Sequence, residues 1–152
     1  MTLEEYNQLD SNFAHCSGAN CERANECLHH TAHKMLAKNT RESYVVANPA
    51  MITGAQLCPL FEPDHKERYA WGISRICNNV RTADLHGVKW KVISCFGADV
   101  YYKVKQLRRA ITEEEQQDVR LTFTEMGYDG STIEFDRDEK QYPTLMRLAR
   151  YE

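Results

Sequence analysis

Four cysteines at defined spacings are the residues of this sequence best suited to chemistry. Cys16, Cys21 and Cys27 lie within twelve residues, and Cys58 follows in a turn-like run before a proline. Structural zinc is bound by four thiolates in a closed tetrahedron, and short loops between ligands bring the sulfur atoms together at small entropic cost. The four cysteines therefore predict a structural zinc site that ties a loop and the first turn of a helix to a more distant segment.

The identity of the fourth ligand has an alternative. His30 stands three residues after Cys27, on the same face of a predicted helix, and could replace Cys58. His15 and His33 are weaker candidates, because a single histidine near a helix surface is more often solvated than bound to a metal. The sequence favours Cys58 and leaves His30 open.

The identity of the metal has an alternative as well. Four thiolates can also hold an iron–sulfur cluster, but the closely spaced cysteine pairs of ferredoxins are missing here, so zinc is favoured. Cys77 and Cys95 stand singly in apolar contexts, as is typical of cysteines that act as small buried hydrophobic residues.

A second feature is the uneven distribution of charge. The chain has a net charge of −3, yet residues 71–110 carry eight Lys or Arg and only two Asp or Glu. The flanking segments 1–70 and 111–152 are both acidic. A basic middle between acidic flanks indicates a contact surface for a polyanion. The alternative is that opposite charges face each other across the fold.

Residues 83–126 fit a helix–turn–helix pattern followed by a further helix, with Gly97 at the tight turn. DNA-binding domains of this kind place the second helix in the major groove. The candidate nucleic-acid-binding residues, which would contact phosphates and sugars, are Tyr101 (or Tyr102), Lys103, Lys105, Arg108 and Arg109. The fit is imperfect, because the position that should be apolar falls on Lys103 and Val104 lies one residue late. A helical hairpin with a solvated basic face explains the same residues.

The elements that must position these side chains are predicted to be mainly helical. Thr2 and Thr112 each precede a glutamate by three residues, a capping-box pattern that opens a helix. Helices are also predicted over 24–38, 82–95, 98–107, 112–126 and 142–151, and strands over 44–47 and 133–135. Residues 66–77 are predicted as a helix, with 68–71 as an alternative strand.

Composition and length favour one compact domain of α+β class, mainly helical. With 152 residues and 42% hydrophobic side chains, the chain can bury a core. Residues 1–65 would form the zinc-stabilised part and 66–152 the helical part. Neither a secretory signal nor an apolar run of about 20 residues is found, so a cytoplasmic protein is expected. In that reducing compartment, clustered cysteines indicate metal binding rather than disulfides.

One set of residues also supports a resemblance that covers nearly the full length. The block Phe13-x-His15-Cys16-x4-Cys21-x-Arg23-Ala24-x2-Cys27-Leu28 is its most specific part, and Cys58-Pro59-x-Phe61 is a further piece. The chain resembles a family of small uncharacterised bacterial proteins of the Bacteroides group. The resemblance implies that the four cysteines belong together, and it implies no activity.

The function expected from the sequence is that of a zinc-stabilised nucleic-acid-binding or regulatory accessory protein, with DNA or RNA as partner. One alternative is a protein-interaction adaptor whose zinc is purely structural. Another is a redox sensor that uses an iron–sulfur cluster or the thiols themselves. An enzyme is not expected, since no phosphate loop, nucleophile elbow or zinc-protease motif is present.

Overall fold

The computed structural model describes residues 1–39, 41–52 and 58–149. Within them the chain is α+β and mainly helical, as predicted, and it divides into two compact units, Met1–His65 and Lys66–Glu152. The α-helices are α1 (Leu3–Asn7), α2 (Leu28–Met35), α3 (Leu85–Phe96), α4 (Ala98–Lys105), α5 (Glu113–Glu125) and α6 (Pro143–Ala149); the strands are β1 (Glu67–Trp71) and β2 (Arg137–Gln141).

The first unit is built around a small core of helices and extended chain. The predicted capping box opens α1: Glu5 N donates to Thr2 Oγ1 (3.2 Å), and Thr2 N donates to the Glu5 carboxylate (2.8 Å). Residues 44–47 form a single parallel bridge rather than the predicted strand. In this bridge His15 N donates to Val45 O (2.7 Å) and Ala47 N donates to His15 O (2.9 Å).

The predicted helix over 24–38 is interrupted at Cys27. Short 3-10 turns, Ala24–Glu26 and Leu36–Lys38, flank α2. Cys27 is extended (φ −111°, ψ 127°) because the backbone around it pairs with residues 62–64. Leu28 N donates to Glu62 O at 2.7 Å, a long-range bond that helical periodicity does not reveal. Cys27 therefore lies at the N-cap of α2 rather than within a helix.

The second unit contains an antiparallel pair in which Glu67 opposes Gln141 and Trp71 opposes Arg137. The predicted helix over 66–77 is wrong, and the alternative strand is confirmed as β1. β2 pairs with one edge of β1, while Ala70 and Ile111 exchange backbone hydrogen bonds (3.0 and 2.7 Å). The described residues 133–135 do not form the predicted strand, and β2 begins at Arg137 instead.

Helices α3 and α5 pack together over the core of this unit. Val88 and Val92 of α3 and Val119 and Phe123 of α5 are fully buried or nearly so. The predicted capping box at Thr112 is confirmed, with Glu115 N donating to Thr112 Oγ1 and Thr112 N donating to the Glu115 carboxylate. α4 follows α3 after one residue, so its solvent face is fixed by packing against α3.

Candidate functional site

The four predicted cysteine ligands line one small cavity in the Met1–His65 unit. Cys16 and Cys21 come from the loop before α2, Cys27 from its N-cap, and Cys58 from the segment that follows. The cavity has a volume of about 20 Å³, whereas one water molecule needs roughly 10–15 Å³. All four thiols are free. The fold thus brings residues 42 positions apart in the sequence to one cavity of single-ion size.

The four thiols line the same cavity, but they do not converge on a single metal-binding position. Among residues 1–39, 41–52 and 58–149, no three His, Cys, Asp or Glu side chains converge as a group that could hold a metal ion. Cys16 Sγ instead accepts a hydrogen bond from Gly18 N at 3.4 Å. The donor set suits zinc in chemical type and number, but the thiols are not gathered around one point as Zn–S distances of about 2.3 Å require.

His30 lines the same cavity and makes one contact that is common for metal-binding histidines. Its Nδ1 lies 3.1 Å from Cys16 O. Because a carbonyl only accepts, Nδ1 donates this hydrogen bond, and Nε2 is the ring nitrogen left for a metal. Ligating histidines commonly donate their second ring N–H to a carbonyl in this way. The geometry therefore retains His30 as an alternative to Cys58.

His15 has no nitrogen available to a metal. Its side chain is fully buried, its Nδ1 lies 3.1 Å from Val45 O, and its Nε2 lies 2.8 Å from the Tyr6 hydroxyl. Since Val45 O accepts from Nδ1–H, Tyr6 donates to Nε2. Burial lowers the pKa of His15, which favours this neutral form. His33 is not among the residues that line the cavity.

We expect Tyr6→Phe to lower the stability of the Met1–His65 unit by about 1–3 kcal/mol, because His15 Nε2 would be buried without a donor. Chemical unfolding monitored by NMR signals of this unit measures the change. Tyr44→Phe is the matched control, since the Tyr44 ring also contacts His15 edge-on (5.1 Å) but is 45% exposed. Equal effects of both substitutions would contradict the role assigned to the Tyr6 hydroxyl.

Two contacts that the cysteine spacing does not reveal hold the cysteine segments in place. The Arg23 guanidinium lies 3.6 Å from the centroid of the Phe61 ring, a cation–π contact between the Cys21–Cys27 loop and the segment after Cys58. Phe61 N also donates to Cys58 O at 3.0 Å, closing a turn. Arg23 and Phe61 both occur in the resemblance motif, which was the only sequence signal for them.

The basic stretch presents only part of the predicted nucleic-acid-binding set to solvent. Tyr101 is 7% exposed, and burial raises its pKa. Tyr102 is 51% exposed, so it is the tyrosine of this pair that can contact a ligand. The Arg109 guanidinium forms a bidentate pair with the Glu115 carboxylate (2.8 and 3.0 Å). Tyr101 and Arg109 are therefore engaged within the fold.

The remaining candidates are accessible. Lys103 is exposed and pairs with Asp99 of the same helix at 2.8 Å. Lys105 and Arg108 are exposed and form no ion pair within the described part of the chain. Val104 is fully buried, so the apolar position of this helix lies one residue later than the helix–turn–helix pattern requires. Gly97 alone joins α3 to α4, whereas that motif has a turn of three or four residues.

The chain is thus a mainly helical α+β protein with a cysteine-lined cavity in its first unit and a basic helical surface in its second. It belongs to DUF6078, a family of unknown function whose model matches residues 1–144. This confirms the predicted membership of an uncharacterised family. No curated protein and no solved structure matches the chain. The described helices are all too short or too polar to cross a membrane.

Proposed function

We propose that this protein is a zinc-stabilised nucleic-acid-binding accessory protein that contacts its ligand with α4. The observation that carries the proposal is the solvent face of this helix. Tyr102 and Lys103 of α4 and Gln106 at its C-cap are exposed and recur at helical spacing, and Lys105 and the following Arg108 extend the cationic surface.

The charge around α4 supports contact with a polyanion. α3 contains Lys89 and Lys91, both exposed, and no acidic side chain. Neither lysine forms an ion pair among the described residues. Cations without intramolecular partners can displace the counterions condensed on a nucleic acid, and this release favours binding. α3, α4 and the turn after α4 thus provide four such cations, Lys89, Lys91, Lys105 and Arg108.

The chemistry of the α4 face suits both backbone and base contacts. The Lys103–Asp99 pair is exposed, and pairs of this kind contribute little stability, so Lys103 can exchange Asp99 for a phosphate. The Tyr102 ring offers a surface on which a base can stack. Gln106 has an amide that can donate to and accept from a base edge. Tyr101 and Arg109 are left out of this proposal because both are engaged within the fold.

In this proposal the role of zinc is structural. Four thiolates would fill the tetrahedron and leave no open position for a substrate. The single-ion size of the cavity and the apolar side chains of Ile52, Leu60 and Phe61 in its wall support a closed site. The metal would hold the loop before α2 together with the Cys58 segment.

We expect the double variant Lys105→Gln/Arg108→Gln to weaken binding to a nucleic acid of mixed sequence, either a duplex or a single strand. The loss of affinity should be similar for nucleic acids of different sequence. The dependence of log affinity on log salt should fall by about two, one for each lost phosphate contact. Fluorescence anisotropy at several salt concentrations measures both quantities. Arg68→Gln/Lys140→Gln is the matched control. Arg68 and Lys140 are exposed and oppose each other on β1 and β2, so their substitution removes the same charge from the same unit.

A protein-interaction adaptor is the second candidate. It is favoured by Trp90 on α3 and Leu121 on α5, which are 58% and 60% exposed. An adaptor would bind no nucleic acid even at low salt. That result, or an equal loss of binding in the Arg68/Lys140 control, would exclude specific recognition by α4.

A further inference from the structure

A cleft of about 480 Å³ opens in the Lys66–Glu152 unit between two turns, residues 75–80 and 128–134. Its floor is apolar, with Phe123 fully buried and Ile76 and Ile133 nearly so. Clefts that bind small molecules typically measure about 300–1,000 Å³ and combine an apolar floor with a few polar groups. No residue of α4 lines this cleft, so its function is separate from the proposed nucleic-acid surface.

The first wall of the cleft is fixed by Asp136. Its carboxylate accepts hydrogen bonds from Ser74 N (3.0 Å), Ser74 Oγ (2.7 Å) and Arg75 N (3.3 Å). Three donors on one carboxylate hold the start of the 75–80 turn in one conformation. This wall is therefore ordered before any ligand arrives, which lowers the entropic cost of binding.

The second wall is fixed by Arg120 and Asp129. The Arg120 guanidinium donates to Gly130 O (2.9 Å) and Ser131 O (3.3 Å). Asp129 accepts from Ser131 N (3.0 Å) and Ser131 Oγ (2.6 Å). Gly130 is required here, because a Cβ would collide with the Arg120 carbonyl. Both walls are thus held by bonds between side chains and backbone.

Four side chains at the cleft are left with unused hydrogen-bonding capacity. Arg75, Asn78 and Asn79 belong to the first wall, and Glu134 belongs to the second. None of the four side chains forms a hydrogen bond or an ion pair within residues 1–39, 41–52 and 58–149. The cleft therefore has a free cation on one wall and a free anion on the other, above an apolar floor.

We propose that this cleft binds a small zwitterion with an apolar side chain, of the free α-amino acid type. The Arg75 guanidinium would hold the carboxylate in a charge-assisted hydrogen bond, with the amides of Asn78 and Asn79 beside it. Glu134 would hold the ammonium group, and the apolar side chain would lie against Phe123. A plain anion would face the Glu134 carboxylate, and a plain cation would face Arg75. A ligand that carries both charges matches both walls.

The test is an NMR titration of the full chain, labelled with ¹⁵N, with L-leucine as ligand up to roughly 10 mM. Two analogues each remove one charge: leucinamide lacks the carboxylate, and N-acetyl-leucine lacks the ammonium group. We expect leucine to shift amide signals of residues 75–80 and 128–134, and each analogue to bind about tenfold more weakly. Absence of shifts at these turns with leucine would overturn the proposal.

Two substitutions test which charge of the ligand each wall binds. Arg75→Gln should weaken leucine binding about tenfold but leave the binding of leucinamide unchanged, because leucinamide has no carboxylate. Glu134→Gln should also weaken leucine binding about tenfold but leave the binding of N-acetyl-leucine unchanged, because N-acetyl-leucine has no ammonium group. Arg68→Gln and Glu114→Gln remove the same charges from exposed positions outside the cleft and should have no effect. All four positions are exposed, so the variants should remain folded. Binding that no cleft variant alters would also overturn the proposal.

Discussion

Chelation of the proposed zinc ion is expected to unfold the Met1–His65 unit. Apparent binding free energies at structural zinc sites in small peptides are about 10–16 kcal/mol, and this energy is largely folding energy. The helices of this unit cannot replace it, because α1 has five residues and α2 has eight, and isolated helices this short are marginal in water. The Lys66–Glu152 unit has its own core and is expected to keep its NMR signals when a chelator is added.

Elemental analysis of the purified protein identifies the metal, and single substitutions identify its ligands. We expect Cys16→Ser, Cys21→Ser, Cys27→Ser and Cys58→Ser each to lose the metal. Cys95→Ser is the control, because Cys95 lies outside the cavity and contacts the Thr122 hydroxyl at 3.2 Å.

Three results would revise or contradict this assignment. Visible absorbance that bleaches in air would replace zinc with an iron–sulfur cluster. Loss of the metal in His30→Ala with retention in Cys58→Ser would assign three cysteines and one histidine as ligands. A metal-free protein that is fully folded would contradict the zinc site altogether.

Gly72→Ala is expected to lower the stability of the Lys66–Glu152 unit by about 3 kcal/mol or more. Gly72 has φ +73°, a conformation that alanine adopts only with strain, and an added Cβ would overlap the Asp136 carboxylate. Asp136 would have to move and release Ser74 and Arg75. Thermal or urea unfolding followed by circular dichroism measures the loss.

Gly127→Ala separates the effect of backbone strain from the effect of the collision with Asp136. Gly127 also has a positive φ, +86°, but among the described residues no atom outside Gly127 and its two chain neighbours lies within 4 Å of the position its Cβ would occupy. This variant should therefore show only the backbone strain, about 1–2 kcal/mol. If Gly72→Ala costs no more than Gly127→Ala, the Asp136 contacts do not stabilise the turn as we infer.

Local hydrogen bonding explains which elements could be predicted. The capping boxes at Thr2 and Thr112 close within four residues, so the sequence alone contains all the partners involved. The helix predicted over 66–77 is wrong because the partners of β1, which are β2 and Ile111, lie more than 40 residues away along the chain. The interruption of the predicted helix at Cys27 has the same origin, since its partners are residues 62–64.

The sequence by itself determined the mainly helical α+β class and the membership of an uncharacterised family, and it predicted the cysteine set of the candidate site, because these depend on residue types and short spacings. Tertiary structure alone decided that Tyr102 rather than Tyr101 reaches solvent and that Glu115 neutralises Arg109. It also formed the cleft between Arg75 and Glu134. Burial and the cleft depend on which distant segments pack together during folding, and the Arg109–Glu115 pair, six residues apart, depends on the turn between α4 and α5. The spacing of residues along the chain specifies neither.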